Sequence, residues 1–243
     1  MAGKLYIKGF RIDHHAPEYA DSYLSKIAAL RHLYDFSFHR PVTFFVGENG
    51  SGKSTILEAL AVNLGFNAEG GSKNFTFSTS MTHSDLYKAV RVIKGPDHPK
   101  DGFFLRAESF YNLASNVDEI GDPIFLEQYG GKSLHQQSHG ESFLSLMLHR
   151  FRGHGVYILD EPEAALSPTK LMTMLVRIKE LVNQQSQLII ATHSPMLMAY
   201  PNADIYFISN EGVKKTRYED TEHYNVMRHF LEDPQKMLHY LLD

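Results

Sequence analysis

The segment Val42–Thr55 constrains this chain most, because a short apolar, β-branched and aromatic run (VTFFV) ends directly in a glycine-rich turn that opens a helix. Val42–Val46 reads as a strand buried on both faces, as in a parallel sheet. Ser54–Leu64 reads as a helix with Ile56, Leu57, Leu60 and Leu64 on one face. Between them, Gly47-Glu48-Asn49-Gly50-Ser51-Gly52-Lys53-Ser54-Thr55 fits the spacing G-x-x-x-x-G-K-[ST] in the strand-loop-helix setting that pattern requires. Its glycines let backbone N–H groups converge, and the helix start adds the positive end of a dipole, so a polyphosphate meets ready donors. Lys53 is expected to reach the β and γ phosphates, and the Ser54 hydroxyl to ligate Mg²⁺.

Other elements extend the same architecture. Lys4–Ile12 and Tyr34–His39 alternate loosely and predict two antiparallel strands, separated by a loop and short helix. Phe103–Arg106, Val156–Leu159 and Leu188–Ala191 predict further core strands, with helices over about 107–120 and Pro168–Asn183. Asp204–Ser209 is expected to add an edge strand, and Thr221–Leu242 to close the chain with helices. Residues 66–102 are rich in Gly, Asn, Ser, Thr, Lys and Pro and read as a peripheral region of short strands and loops. The expected fold class is α/β: a mostly parallel sheet with helices on both faces and an N-terminal antiparallel layer. One domain over 1–243 is expected, with approximately 66–150 containing a peripheral insertion and a small helical and loop subdomain.

Composition narrows the partners. With 24 basic and 28 acidic side chains the formal charge is −4, so no positive excess points to a phosphate-backbone partner. Cysteine is absent, which removes disulfides, thiolate metal sites and cysteine nucleophiles and fits a reducing cytoplasm. No apolar run approaches the ~20 residues that cross a bilayer, and MAGKLYIKGF lacks a signal-peptide core. A cytoplasmic protein with no transmembrane segment of its own is expected. The 14 histidines, among them His14-His15 and the series His135, His139, His149 and His154, match no common ligand spacing.

An acidic pair follows the strand VYIL. Asp160, at its end, is placed to hold magnesium directly or through water. In an extended segment Glu161 projects to the opposite side, towards an attacking water.

Together these residues carry a resemblance. Gly47 to Thr55, Ser138-His139-Gly140-Glu141, Asp160-Glu161-Pro162, Ala164-Ala165-Leu166-Ser167 and Ala191-Thr192-His193 stand in the order of the Walker A, signature, Walker B, D-loop and switch-histidine motifs of ATP-binding-cassette (ABC) ATPases. The resemblance implies a P-loop NTPase that binds ATP with Mg²⁺ and forms a homodimer when ATP is present. It implies that Ser138, His139, Gly140 and Glu141, at the start of a helix near Gly140, meet the γ-phosphate held by the loop of a second copy. It also implies that Glu161 polarises the attacking water and that His193 contacts the γ-phosphate, which with Lys53 completes the catalytic set. Gln-Ser-His-Gly-Glu departs from the common Leu-Ser-Gly-Gly-Gln, with His139 at the first glycine.

Transporter cassettes place a glutamine after a core strand downstream of the phosphate loop, and no glutamine occurs here between Lys53 and Gln128. Glu108, in Arg106-Ala107-Glu108-Ser109, takes the corresponding position as a metal candidate. Asp-Glu-Pro-Glu-Ala-Ala-Leu-Ser-Pro and Ala-Thr-His-Ser-Pro are similar to the forms in soluble recombination (RecF), chromosome-maintenance (SMC) and overcoming-lysogenization-defect (OLD) ATPases. The interval from Lys53 to Ser138 is too short for long coiled-coil arms. Phrases such as GFNAEGG, FFLRAESF and QSHGES resemble a family of compact, stand-alone bacterial ATPases. The leading expectation is a mechanochemical switch acting on DNA or a protein partner, in DNA maintenance or phage defence. Its alternatives are a nucleotide-binding subunit of an ABC membrane transporter and a nucleotide-binding scaffold with little turnover.

Overall fold

A computed structural model describes residues 4–72, 84–120, 126–127, 129–131 and 133–242, with the backbone alone for 119, 120 and 139. Gln128 and much of the peripheral stretch after Ser72 lie outside the described residues. The main sheet has six strands in the order β5-β6-β7-β3-β8-β9. They are β5 (Asp101–Arg106), β6 (Gly155–Asp160), β7 (Gln187–Ala191), β3 (Val42–Val46), β8 (Asp204–Ser209) and β9 (Gly212–Thr216). All neighbours pair in parallel except β8 with β9. A second, antiparallel sheet has the order β2-β1-β4, from β1 (Ile7–Ile12), β2 (Asp35–Ser37) and β4 (Val90–Lys94).

The continuous apolar runs are explained by burial on both faces of the main sheet. Phe45, Phe104, Ile158 and Ile189 point into one core, shared with β1, β2 and the phosphate-loop helix Lys53–Asn63. Phe44, Phe103, Leu105, Tyr157, Leu159, Leu188 and Ile190 point into the other. That core is covered by the helices Phe110–Ile120, His139–Arg150 and Pro168–Asn183. Because the side-chain period of a strand is two, a run such as VTFFV feeds both cores alternately and carries no polar face.

Four expectations are corrected. Asp204–Ser209 is an inner strand, because Gly212–Thr216 returns antiparallel and takes the edge. The N-terminal layer has three strands, since Val90–Lys94, from the region read as peripheral, pairs with β1 across five residues. Backbone hydrogen bonding shortens the N-terminal strands to Ile7–Ile12 and Asp35–Ser37. The helix after β5 begins at Phe110, because Ala107–Ser109 form a turn in which Ala107 N donates to Asp160 O. Two helices, Glu222–Glu232 and Pro234–Leu242, close the described chain.

Candidate active site

The parallel register brings the candidate residues together at one end of the sheet. Arg106 pairs with Asp160 across β5 and β6, Asp160 with Ala191 across β6 and β7, and Phe45 with Ala191 across β3 and β7. The residues that follow these strand ends therefore converge outside their carboxyl termini, where open α/β sheets place ligands. Gly47 leaves β3 with φ 147°, and a Cβ there would lie 2.2 Å from the Ile208 carbonyl oxygen of β8, so no larger residue fits without moving backbone. Gly50 and Gly52 also have positive φ, which turns the loop back onto the helix start at Lys53.

Lys53 folds over this loop. Its Nζ donates to the carbonyl oxygens of Gly47 at 2.8 Å and Glu48 at 2.9 Å, and the residue is only 3% exposed. Burial lowers its pKa, against the pull of Glu161, Asp160 and Glu163. Ser54 Oγ donates to Asp160 Oδ1 at 3.0 Å, so the two predicted metal ligands already share one spot. Burial pushes Asp160 up to about 6, opposed by the Arg106 guanidinium and the Ser54 hydroxyl. The hydroxyl of Ser51, inside the loop, is buried without a partner. These features suit a phosphate with its magnesium: the Lys53 ammonium and the unpartnered Ser51 hydroxyl lie at the loop, and the Ser54 hydroxyl and Asp160 carboxylate supply the hard oxygen ligands that Mg²⁺ takes.

Glu161 departs from the extended geometry expected for it. The strand stops at Asp160, and Glu161 adopts φ 50° and ψ 50°, while its N–H donates to Ala191 O at 3.0 Å. A non-glycine residue in this left-handed region carries local strain, and such outliers concentrate at functional sites. Here the turn, rather than strand alternation, aims the carboxylate: Glu161 Oε1 stands 3.5 Å from His193 Nε2. His193 in turn sits just past β7, and its ring Nδ1 lies 2.9 Å from His223 Nε2.

Sequence reasoning assigned no role to four residues that the fold brings in. Glu163 accepts a hydrogen bond from the backbone N–H of His193, fixing the loop after β7, and burial raises its pKa. Its only signal was its place inside the acidic phrase after β6. Arg106 joins Glu58 (Nη1–Oε2 2.8 Å), Asp160 (Nε–Oδ2 3.5 Å) and Glu108 (Nη2–Oε2 3.4 Å). Glu108 is therefore tied to the Asp160 cluster through a guanidinium, and its own side chain is largely exposed. Glu58 is a buried carboxylate on the phosphate-loop helix, hidden among that helix's apolar positions. His223 lies on the Glu222–Glu232 helix, with no nearby motif to flag it.

The signature residues form a separate cluster. Glu141 receives both the backbone N–H of Ser138 at 2.9 Å and its hydroxyl at 2.6 Å, at the N-terminus of the His139–Arg150 helix. These hydrogen bonds and Lys170 lower the Glu141 pKa. Lys170 Nζ adds a contact of 3.4 Å to Ser138 Oγ. Gly140 packs so closely on this helix start that a Cβ would lie 2.5 Å from the Ala165 carbonyl oxygen. The protein partners of the Ser138 side chain are thus Glu141 and Lys170, outside the phosphate loop of its own chain, and Ser138 is exposed. Of His139 only the backbone is described, as the first residue of the helix.

Comparison with known proteins meets this geometry at both halves of the site. An AAA-domain family model matches residues 23–111, which hold the phosphate loop, and one described as "AAA domain, putative AbiEii toxin, Type IV TA system" matches residues 133–199, which hold the signature helix, Asp160 and His193. Both are AAA-domain models, and each matches less than half of the chain. Among solved structures, the chain is similar to an ATP-binding cassette of an ABC transporter (15% identity, 98% of this chain and 99% of that one, TM-score 0.48). It is also similar to cbiO1 from Clostridium perfringens, part of the ABC transporter complex cbiONQ (18%, 86% and 90%, TM-score 0.46). A third is the SMC head domain from Thermotoga maritima (16%, 75% and 92%, TM-score 0.40). No curated protein matches the chain. Among the described residues, no helix is long and apolar enough to cross a membrane.

Proposed function

We propose that this cassette binds Mg-ATP in the Gly47–Thr55 loop, dimerises around it and hydrolyses it to ADP and phosphate as a cytoplasmic switch acting on a nucleic-acid or protein partner. The observation that carries this reading is the convergence of Lys53, Ser54, Asp160, Glu161 and His193 on one end of the sheet, where Lys53 Nζ lies 2.8 Å from Gly47 O, Ser54 Oγ 3.0 Å from Asp160 Oδ1 and Glu161 Oε1 3.5 Å from His193 Nε2. Lys53 leaves the Gly47 and Glu48 carbonyls to neutralise the β and γ phosphates. Ser54 and Asp160 hold magnesium, which supplies charge neutralisation on the phosphates when bound. Glu161 accepts the proton of the water that attacks the γ-phosphorus, as the bond to the β-bridging oxygen breaks and ADP leaves. The His193 Nε2 edge orients that water and the γ-phosphate oxygens. Ser138 and the Gly140 helix start of a second copy close the site with a hydroxyl, N–H groups and a helix dipole.

Release of phosphate into solution by the wild type tests this directly. Glu161→Gln keeps the shape and removes the base, so turnover falls by ~10²–10⁴-fold while ATP still binds. Wild-type protein without turnover above background contradicts the hydrolase reading.

A further inference from the structure

Both family matches end by residue 199, yet the site receives a side chain from beyond them. His223, in the first turn of the Glu222–Glu232 helix, places its ring 5.1 Å from that of His193, with Nε2 2.9 Å from His193 Nδ1. One proton lies between the two nitrogens, and the neighbours decide its owner. Donation by His193 leaves its Nε2 as a bare lone pair 3.5 Å from the Glu161 carboxylate, acceptor against acceptor. Donation by His223 leaves Nε2–H on His193, 3.5 Å from that carboxylate, a charge attraction longer than a hydrogen bond, since Nε2 has no hydrogen-bond partner. The rest of His223 agrees: its Nδ1 is buried without a partner, and a buried bare acceptor is less costly to orphan than a buried N–H. Burial lowers the pKa of both rings and the Lys53 charge adds to it, so a neutral pair with one defined tautomer each is the state to consider.

We propose that His223 is a positioning residue that donates to His193 Nδ1 and holds His193 as its Nε2–H tautomer, which presents a hydrogen-bond donor to Glu161 and the γ-phosphate. The inference deepens the hydrolase reading and rests on it for its catalytic meaning, but the tautomer itself does not. It also ties the Glu222–Glu232 helix to the nucleotide through His193: movement of that helix changes which edge of His193 can donate. A ring whose orientation and tautomer are set by a partner loses efficiency when the partner goes, typically 10–100-fold in comparable metal-site histidines.

Imidazole nitrogen NMR on nucleotide-free protein is the test, with the His193 signals identified by their loss in His193→Gln. The wild type is expected to show His193 Nδ1 bare and Nε2 protonated. His223→Leu is expected to populate both tautomers and to lower ATP turnover about tenfold with little change in KM. His223→Gln, whose amide N–H donates from nearly the place of Nε2, restores the single tautomer and most of the turnover. A wild-type His193 protonated at Nδ1 overturns the proposal, as does a His223→Leu protein with unchanged tautomer and turnover. Absence of wild-type turnover sinks the hydrolase reading instead, and the ring spectrum still decides the role of His223.

Discussion

Lys53 Nζ is bonded to two carbonyl oxygens of its own loop, almost wholly out of water. On the proposed reading, the ammonium would exchange these carbonyl dipoles for phosphate charge. Lys53→Ala removes the charge-assisted contact and should weaken ATP binding by roughly 10- to 100-fold, measured by titration calorimetry with the helical signal unchanged. Equal affinity for both proteins contradicts the assignment. Glu161 teaches a different lesson. Adjacency to Asp160 was legible, but its direction was not, because strand alternation predicts a side while the actual residue sits in a left-handed turn. Glu163 and His223 were not legible for a related reason. Each acts through a hydrogen bond to His193 from 30 positions away in sequence, a proximity that only the folded chain creates.

Among the elements, those with the sharpest burial pattern were the readable ones. VTFFV, buried at every position, and Pro168–Asn183, which buries the stripe Leu171, Met174, Ile178 and Leu181, came out with the predicted bounds, since each pattern is dictated by the core it faces. The strands that escaped, Val90–Lys94 and Gly212–Thr216, are edges whose exposed lysines and arginine mask the alternation. At the far end of β5, away from the site, Asp101 anchors a buried polar group: Arg150 Nη1 donates at 2.8 Å, Tyr157 Oη at 2.7 Å and Arg152 N at 3.0 Å. Burial opposes its ionisation, but Arg150 and these donors outweigh it, leaving the pKa below the ordinary 3.8. A depressed carboxylate contributes stability above its unfolded pKa and loses it as pH falls through the folded value, so the loss begins below about 3.8. Asp101→Asn strands the half-buried Arg150 charge and should cost about 3–5 kcal/mol at neutral pH, with a flatter stability profile below pH 4 in urea titrations. A variant whose profile parallels the wild type across that range rules out this contribution. In the same layer, Leu159→Ala empties a fully buried position and should cost about 2–5 kcal/mol by the same titration.

On the scale of the whole molecule, the candidate residues form two separate clusters. The phosphate loop, Asp160, Glu161 and His193 share one end of the sheet, whereas Ser138 is exposed and bonded only within its own helix start and to Lys170. On the proposed reading, a second copy would bring its Ser138 helix start to the Gly47–Thr55 loop, with ATP between them. The most direct measurement is the mass in solution of the Glu161→Gln protein with Mg-ATP, by light scattering, beside the same protein carrying Ser138→Arg. Twice the 27.7 kDa chain mass for the first, and the single mass with ATP still bound for the second, is the predicted result. A Glu161→Gln protein that holds ATP yet stays at the single mass, or a Ser138→Arg protein that pairs equally well, contradicts the account.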